Sequence, residues 1–333
     1  MSSFATLRRS GCDDANADLG AVLRFLAWSG RHGSALLAAS IFVGLAVQPL
    51  AALLRDVVTI TVAGLMTLVL LRTDPAQVLA FLRRPALIAA ICLWLLVAMP
   101  LLAAGIAWAT GLDGALGAAF VIMAAGCAAT SSPAFARMVG LDGEISLVVA
   151  VVSTLLVPFT APPLALGLMG IDLAISLPAL MGRLVLVVGL PLLLSIALRR
   201  LLGRARLLAL GPAVDGASVW LVMLYGIGVM LGVPAAAAAD PLWTLGALAL
   251  ASAGNFGANL ATAVAFAPVG ARVALAAGLL AGNRNMALFI AVLPAATDPR
   301  IILFFVLCQF PLFLSPFLLR PVYARLIRKH GPG

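Results

Sequence analysis

Three clusters of polar residues interrupt an otherwise apolar chain, and their types and spacing limit the chemistry they can do. The stretch "AAGLLAGNRNMALFIAVLP", from Ala276 to Pro294, could cross a bilayer, yet its middle reads Gly282-Asn283-Arg284-Asn285. An arginine at that depth costs ~2.5–3.5 kcal/mol on insertion scales, and intramembrane ionisable residues mark ligand sites, pathways or internal pairs. A second knot, Thr130-Ser131-Ser132-Pro133, lies in "AAGCAATSSPAFARM". Pro133 removes a backbone donor, while Gly282 and the asparagines weaken helix continuity, so both segments are expected to unwind where the knots sit. Unwound backbone inside a membrane needs polar partners, which makes both knots candidate ligand or ion sites; the plain alternative is a kink packed against its neighbours. The third cluster is Ser252, Asn255, Asn259 and Thr262, spaced i, i+3, i+7 and i+10 and therefore on one helical face. It reads equally as interhelical hydrogen bonding and as part of a site, with Asn255 and Asn259 the better site candidates. Ser146, Ser153 and Thr154 carry less, because lone hydroxyls often bond their own helix.

The elements that hold these residues must be membrane spans. Of 333 residues, 64% are hydrophobic and 10% charged, which leaves too much apolar surface for a soluble fold. The net charge of +9 is spread over short segments between apolar runs, so it reads as a topology signal and not as a nucleic-acid face. Cys12, Cys92, Cys127 and Cys308 lack paired spacing for disulfides or metal, and His32 and His330 lie outside the apolar runs, which removes the usual base for catalysis. No signal peptide is expected, since Asp13, Asp14 and Asp18 precede the first long apolar run.

Ten apolar stretches are long enough to be candidate spans, near 34–54, 57–72, 86–110, 114–139, 143–169, 174–198, 209–233, 240–267, 271–295 and 299–319. Before them, residues 1–33 read as an amphipathic cytoplasmic segment; after them, 321–333 form a basic tail. Arginines gather at Arg8, Arg9, Arg24, Arg31, Arg83, Arg84, Arg199, Arg200, Arg204, Arg206, Arg272, Arg320, Arg325 and Arg328, all on the N-terminal side, so both termini are expected in the cytoplasm. Arginine dominates over the single Lys329, which points to a bacterial inner membrane.

The two knots also predict a repeat. Prolines follow Ser132 at Pro158 and Pro163, and follow Asn285 at Pro311 and Pro316, with offsets of 26 and 31 in both cases. Each half, 34–169 and 174–320, holds five spans, and an odd number inverts the second half relative to the first.

At these residues the chain resembles the bile acid:sodium symporter family over essentially all ten spans. "AATSSPAFARMVGLDGEISLVVAVVSTLLVPFTAPP" follows that family's fourth and fifth spans without a gap, "LAGNRNMAL" keeps Gly282 and Asn285 of its ninth-span motif, and Met99-Pro100 matches its third-span Met-Pro element. The resemblance implies an all-α membrane fold of sodium/proton-antiporter type. A core domain would carry the crossed, broken helices four and nine, and a panel domain would move against it. It also implies sodium ligands, most of which are replaced here: the family's Ser-Asn pair falls on Ser132 and Pro133, its fifth-span pair on Ser146 and Ala150, its ninth-span glutamate on Leu280, its glutamine on Arg284 and its third-span glutamine near Leu95. Ser132 and Ser146 survive as candidate ion ligands. A guanidinium beside a sodium site repels the ion, so Arg284 reads as a built-in replacement for its charge, partnered by half-helix C-termini or by a substrate anion.

The expected function is alternating-access transport of a small organic anion, with Thr130, Ser131, Ser132, Pro133, Asn255, Asn259, Asn283, Arg284 and Asn285 at the crossover. Sodium is the one cofactor the resemblance brings in, and the lost ligands argue against it. Two alternatives stay open: a sodium-coupled symporter with altered ion sites, and an uncoupled channel or sensor on the same fold. A membrane enzyme of the prenyl-transferase kind needs carboxylate clusters for magnesium, and the only Asp pair, Asp13-Asp14, precedes the spans. Gln48, Tyr225 and Trp243 are expected to shape the pocket from the panel.

Overall fold

The computed structural model describes residues 20–30, 32–73, 85–141, 143–168, 170–171, 173–294 and 296–330, with Ser34, Ala35, Ala38, Leu168, Lys329 and His330 described by backbone alone. Arg8, Arg9, Arg31, Arg83, Arg84, Cys12, Asp13, Asp14 and Asp18, used above, lie outside these residues, as do residues 1–19 of the expected N-terminal segment and 331–333 of the expected tail. Residues 20–30 form α1, which packs on α10 (Gly211–Val229) with Phe25 and Trp220 centroids 5.7 Å apart.

Proline and glycine punctuate the apolar runs and set where the helices break. Pro49 cannot donate to the preceding turn, so α2 (Gly33–Ala46) ends, Val47 leaves the helical region (φ −113°, ψ 70°), and α3 (Gln48–Arg55) begins. The predicted span 34–54 is therefore two helices, and α3 meets α4 (Val58–Arg72) at a bend of 70°. α5 runs over Pro85–Thr110 with one π turn at Trp94–Ala98. α6 (Gly114–Ala125) and α7 (Ser132–Met138) are the two halves of the predicted fourth span, followed by α8 (Gly143–Pro162). α9 (Leu177–Ala209) is two helical pieces joined at Gly203, whose φ of 73° only glycine adopts readily, so the first piece ends a few residues past the predicted 174–198 and a second follows. α11 (Val233–Ala239) and α12 (Pro241–Ala265) follow α10. α13 (Ala271–Gly282) and α14 (Met286–Val292) halve the predicted ninth span, and α15 (Pro299–Leu307) leads into α16 (Gln309–His330).

Among the described residues there is no strand, and six helical stretches are long and apolar enough to cross a membrane, or seven if the bent α3–α4 pair counts as one. The protein is a membrane-embedded helical bundle. The count by length falls below the ten predicted stretches because α2, α3, α4, α6, α7, α13 and α14 are each too short to span alone.

The helices pack in two groups. α2, α3, α4, α9 and α10 lie against one another, while α5–α8 and α12–α16 form the other group. Within the second, α12 and α13 make the most intimate contact: a Cβ on Gly278 would sit 2.6 Å from the Asn259 carbonyl, and one on Gly282 2.6 Å from the Asn255 carbonyl. Two small residues one turn apart thus let the backbones touch, as is common between membrane helices.

Candidate functional site: the crossing of two broken helices

The two knots meet. The Ala129 amide donates to the Asn283 carbonyl at 2.8 Å and the Asn285 amide to the Cys127 carbonyl at 2.9 Å, a single antiparallel bridge centred on Ala128 and Arg284. α6 and α13 both end here, so two sets of unpaired C-terminal carbonyls and their partial negative charge converge on one spot.

Arg284 fills that spot. Its side chain is only 3% exposed. Nε donates to the Ala281 carbonyl at 2.7 Å, in the last turn of α13. Nη1 donates to the Gly126 carbonyl at 2.8 Å, at the end of α6, and to the Leu95 carbonyl at 3.2 Å, in the π turn of α5. The Leu95 acceptor is free for a reason written in the sequence. The Met99 amide, which an α-helix would give to Leu95, reaches Trp94 instead. In the π register Leu95 would then pair with residue 100, which is Pro100 and has no amide hydrogen. Of the two partners expected for Arg284, the structure contains the half-helix ends.

Leu95, Ala150 and Leu280 belong to one buried apolar cluster with Ile91, Ala128 and Val149. Hydrocarbon packs at these three of the positions where the resemblance implies sodium ligands. Ser132 and Ser146 are fully buried, and neither Oγ has a hydrogen-bond partner. Ser153 Oγ accepts from the Ala128 amide at 3.3 Å and donates to Ala150, so it braces the first knot, and Thr154 donates to Ala150 and lies against Cys127. Thr130 and Ser131 are half-buried, and Pro133 lies in the first turn of α7. Among the described residues no three His, Cys, Asp or Glu gather where a metal ion could be held.

The polar stripe on α12 turns inward and is spent on helix contacts. Asn255 Nδ2 donates to the Gly282 carbonyl at 2.7 Å and to Asn283 Oδ1 at 3.2 Å, tying α12 to the second knot. Asn259 exchanges hydrogen bonds with the Tyr323 hydroxyl at 2.7 and 2.9 Å, and Thr262 accepts from Trp94 Nε1 at 2.8 Å. Ser252 bonds its own helix at Leu248. Asn255 Oδ1, Asn283 Nδ2 and Arg284 Nη2 remain buried without partners.

The three residues expected at the pocket lie in different surroundings. Gln48 ties the α2–α3 break to the Met230 carbonyl and the Gly232 amide, and Tyr225 is buried and accepts from Gln309 Nε2 at 3.2 Å; neither is in the lining of the cleft that Trp243 borders. Trp243 lines a cleft from α12, in the second helix group. Sequence reasoning also missed Arg183, on α9, which donates to the Val292 carbonyl at 3.0 Å and so joins one helix group to the end of α14. The signal was present, since Arg183 interrupts an apolar run as Arg284 does.

No protein-family model and no curated protein matches the chain.

Proposed function

We propose that the chain is a secondary transporter of a small organic anion, similar to the bile acid:sodium symporter family, in which Arg284 takes the place of a bound sodium ion. The observation that carries this reading is the guanidinium held by three backbone carbonyls at the convergence of α6, α13 and the π turn of α5. A resident cation that never leaves gives the crossing its compensating charge without an ion gradient. The apolar packing of Leu95, Ala150 and Leu280 supports the same conclusion.

Inverted five-span repeats are supported by how the helices pair. α2 packs on α10 as α9 packs on α4, and α6 packs on α15 as α13 packs on α8, which is the exchange that a two-fold axis between the halves produces. In this reading α5–α8 and α12–α16 are the core, α2–α4, α9 and α10 the panel, and both termini face the cytoplasm of a bacterial inner membrane. Arg183 on Val292 and Gln309 on Tyr225 are then bonds between panel and core that must break and reform as the two move.

The test is uptake by the purified protein in liposomes, using radiolabelled cholate, naphthoate and decanoate as probes. Uptake of at least one that saturates with concentration is the expected result. Uptake that rises linearly identifies a channel, and no protein-dependent uptake of any probe refutes transport of organic anions.

A further inference from the structure

α9 has two unlike faces. Leu184, Val188, Pro191 and Ser195, spaced i, i+4, i+7 and i+11, are buried in the bundle. On the opposite side Leu186, Leu190 and Leu193 are 63%, 58% and 66% exposed, and the exposed Ala197 and Arg200 continue that stripe at i+11 and i+14 from Leu186. Leu186 lies at the middle of the predicted span 174–198. From Leu186 to Ala197 the helix rises about 16 Å at ~1.5 Å per residue, which matches one leaflet of a hydrocarbon core ~30 Å thick. Arg200 then stands one turn beyond the hydrocarbon, at headgroup level.

The chain that follows is tied down. Residues 199–210 carry four arginines and no acidic residue. Arg199 is already engaged: Nη2 donates to the Leu71 carbonyl at 2.6 Å and to the Thr73 carbonyl, closing the C-terminal end of α4. Gly203 turns the chain, and α10 begins at Gly211. Arg72, the last residue of α4, pairs at 2.9 Å with Asp215, the only carboxylate of α10. The segment is therefore strapped across the end of α4, which packs on both α9 and α10. Arg200 and Arg206 are exposed and have no ion pair among the described residues.

We infer that this end of α9 binds one anionic phospholipid, its phosphate held by Arg200 and Arg206 and an acyl chain laid along Leu186, Leu190, Leu193 and Ala197. A zwitterionic lipid has the same chains but brings its own cation, so the two arginines discriminate by net charge. Leu201 and Leu208, 78% and 67% exposed, flank the arginines with further apolar surface that a free phosphate would leave uncovered. The site touches one helix group alone, so it acts on how that group sits in the bilayer and holds whether or not the protein is a carrier.

The experiment is native mass spectrometry of the full chain in detergent with added dioleoyl phosphatidylglycerol or dioleoyl phosphatidylcholine. Wild type is expected to retain one phosphatidylglycerol in preference. Surface arginines attract anionic lipid by about fivefold each, so Arg200→Gln with Arg206→Gln should weaken that binding about 25-fold, while the paired lysine variant keeps most of it. Neither arginine has an ion pair to lose, so the glutamine variant is expected to melt with the wild type in phosphatidylcholine. Arg320→Gln with Arg325→Gln removes the same charge from exposed positions on α16 and should leave retention unchanged. Glycerol 3-phosphate lacks the chains and should not displace the lipid. Equal retention of the two lipids, equal retention by wild type and the glutamine variant, or an equal loss in the α16 variant overturns the site. Displacement by glycerol 3-phosphate overturns the lipid and makes the site one for a free phosphate ester.

Discussion

Replacing Arg284 with glutamine removes the three charged hydrogen bonds to Ala281, Gly126 and Leu95. Hydrogen bonds to a charged group contribute ~1.5–3 kcal/mol each, so the loss is roughly 4.5–9 kcal/mol before compensation. Removing a charge from the membrane interior recovers ~2.5–3.5 kcal/mol. The net destabilisation is therefore about 1–6.5 kcal/mol, with a midpoint near 4, which at ~2–4 °C per kcal/mol lowers the melting temperature by roughly 8–16 °C at that midpoint. Thermal unfolding of the purified variant in detergent reads this directly. Arg284→Lys keeps the charge but not the planar fork, and one ammonium cannot replace a guanidinium spread over three carbonyls, so it should melt between glutamine and wild type. If Arg284→Gln melts within about 2 °C of wild type, the guanidinium does not hold the crossing and the reasoning fails.

Gly282→Ala places a methyl group 2.6 Å from the Asn255 carbonyl, and the forced separation of α12 and α13 should cost ~1–3 kcal/mol, seen as a lower melting temperature. Asn259→Ala and Tyr323→Phe should be coupled by ~0.6 kcal/mol in a double-mutant cycle, the average for hydrogen bonds between membrane helices, because the two side chains bond only across that pair and to Leu275. Arg183→Ala unties α9 from α14, so spin labels on the two helix groups should report a broader distance distribution than in wild type. The double variant Leu280→Glu with Arg284→Gln offers a carboxylate and free carbonyls, and it should melt higher in sodium chloride than in choline chloride by ~1.4 kcal/mol when sodium is ten times its dissociation constant.

The breaks were legible because proline and glycine act locally: Pro133 and Gly282 announced the two knots that the structure joins, and Pro49 carried the unread signal for the break at Val47. What holds the knots was not legible. Arg284 binds carbonyls, and every residue has a carbonyl; only the π turn and Pro100 together single out Leu95. The stripe on α12 announced an inward face, but asparagine looks alike as ligand and as helix contact, and the choice followed from the approach of Gly282 and Tyr323, which are distant in sequence. The cleft beside Trp243 left no local pattern, since Arg55, Trp243 and Arg300, which line it, come from three separate segments.

The most direct test of Arg284 as the resident cation is equilibrium binding of radiolabelled sodium to the wild-type chain in nanodiscs, with excess unlabelled sodium to define the background. The account predicts no saturable sodium above that background. A saturable site approaching one ion per chain would contradict it, and would make the protein a sodium symporter with altered ligands.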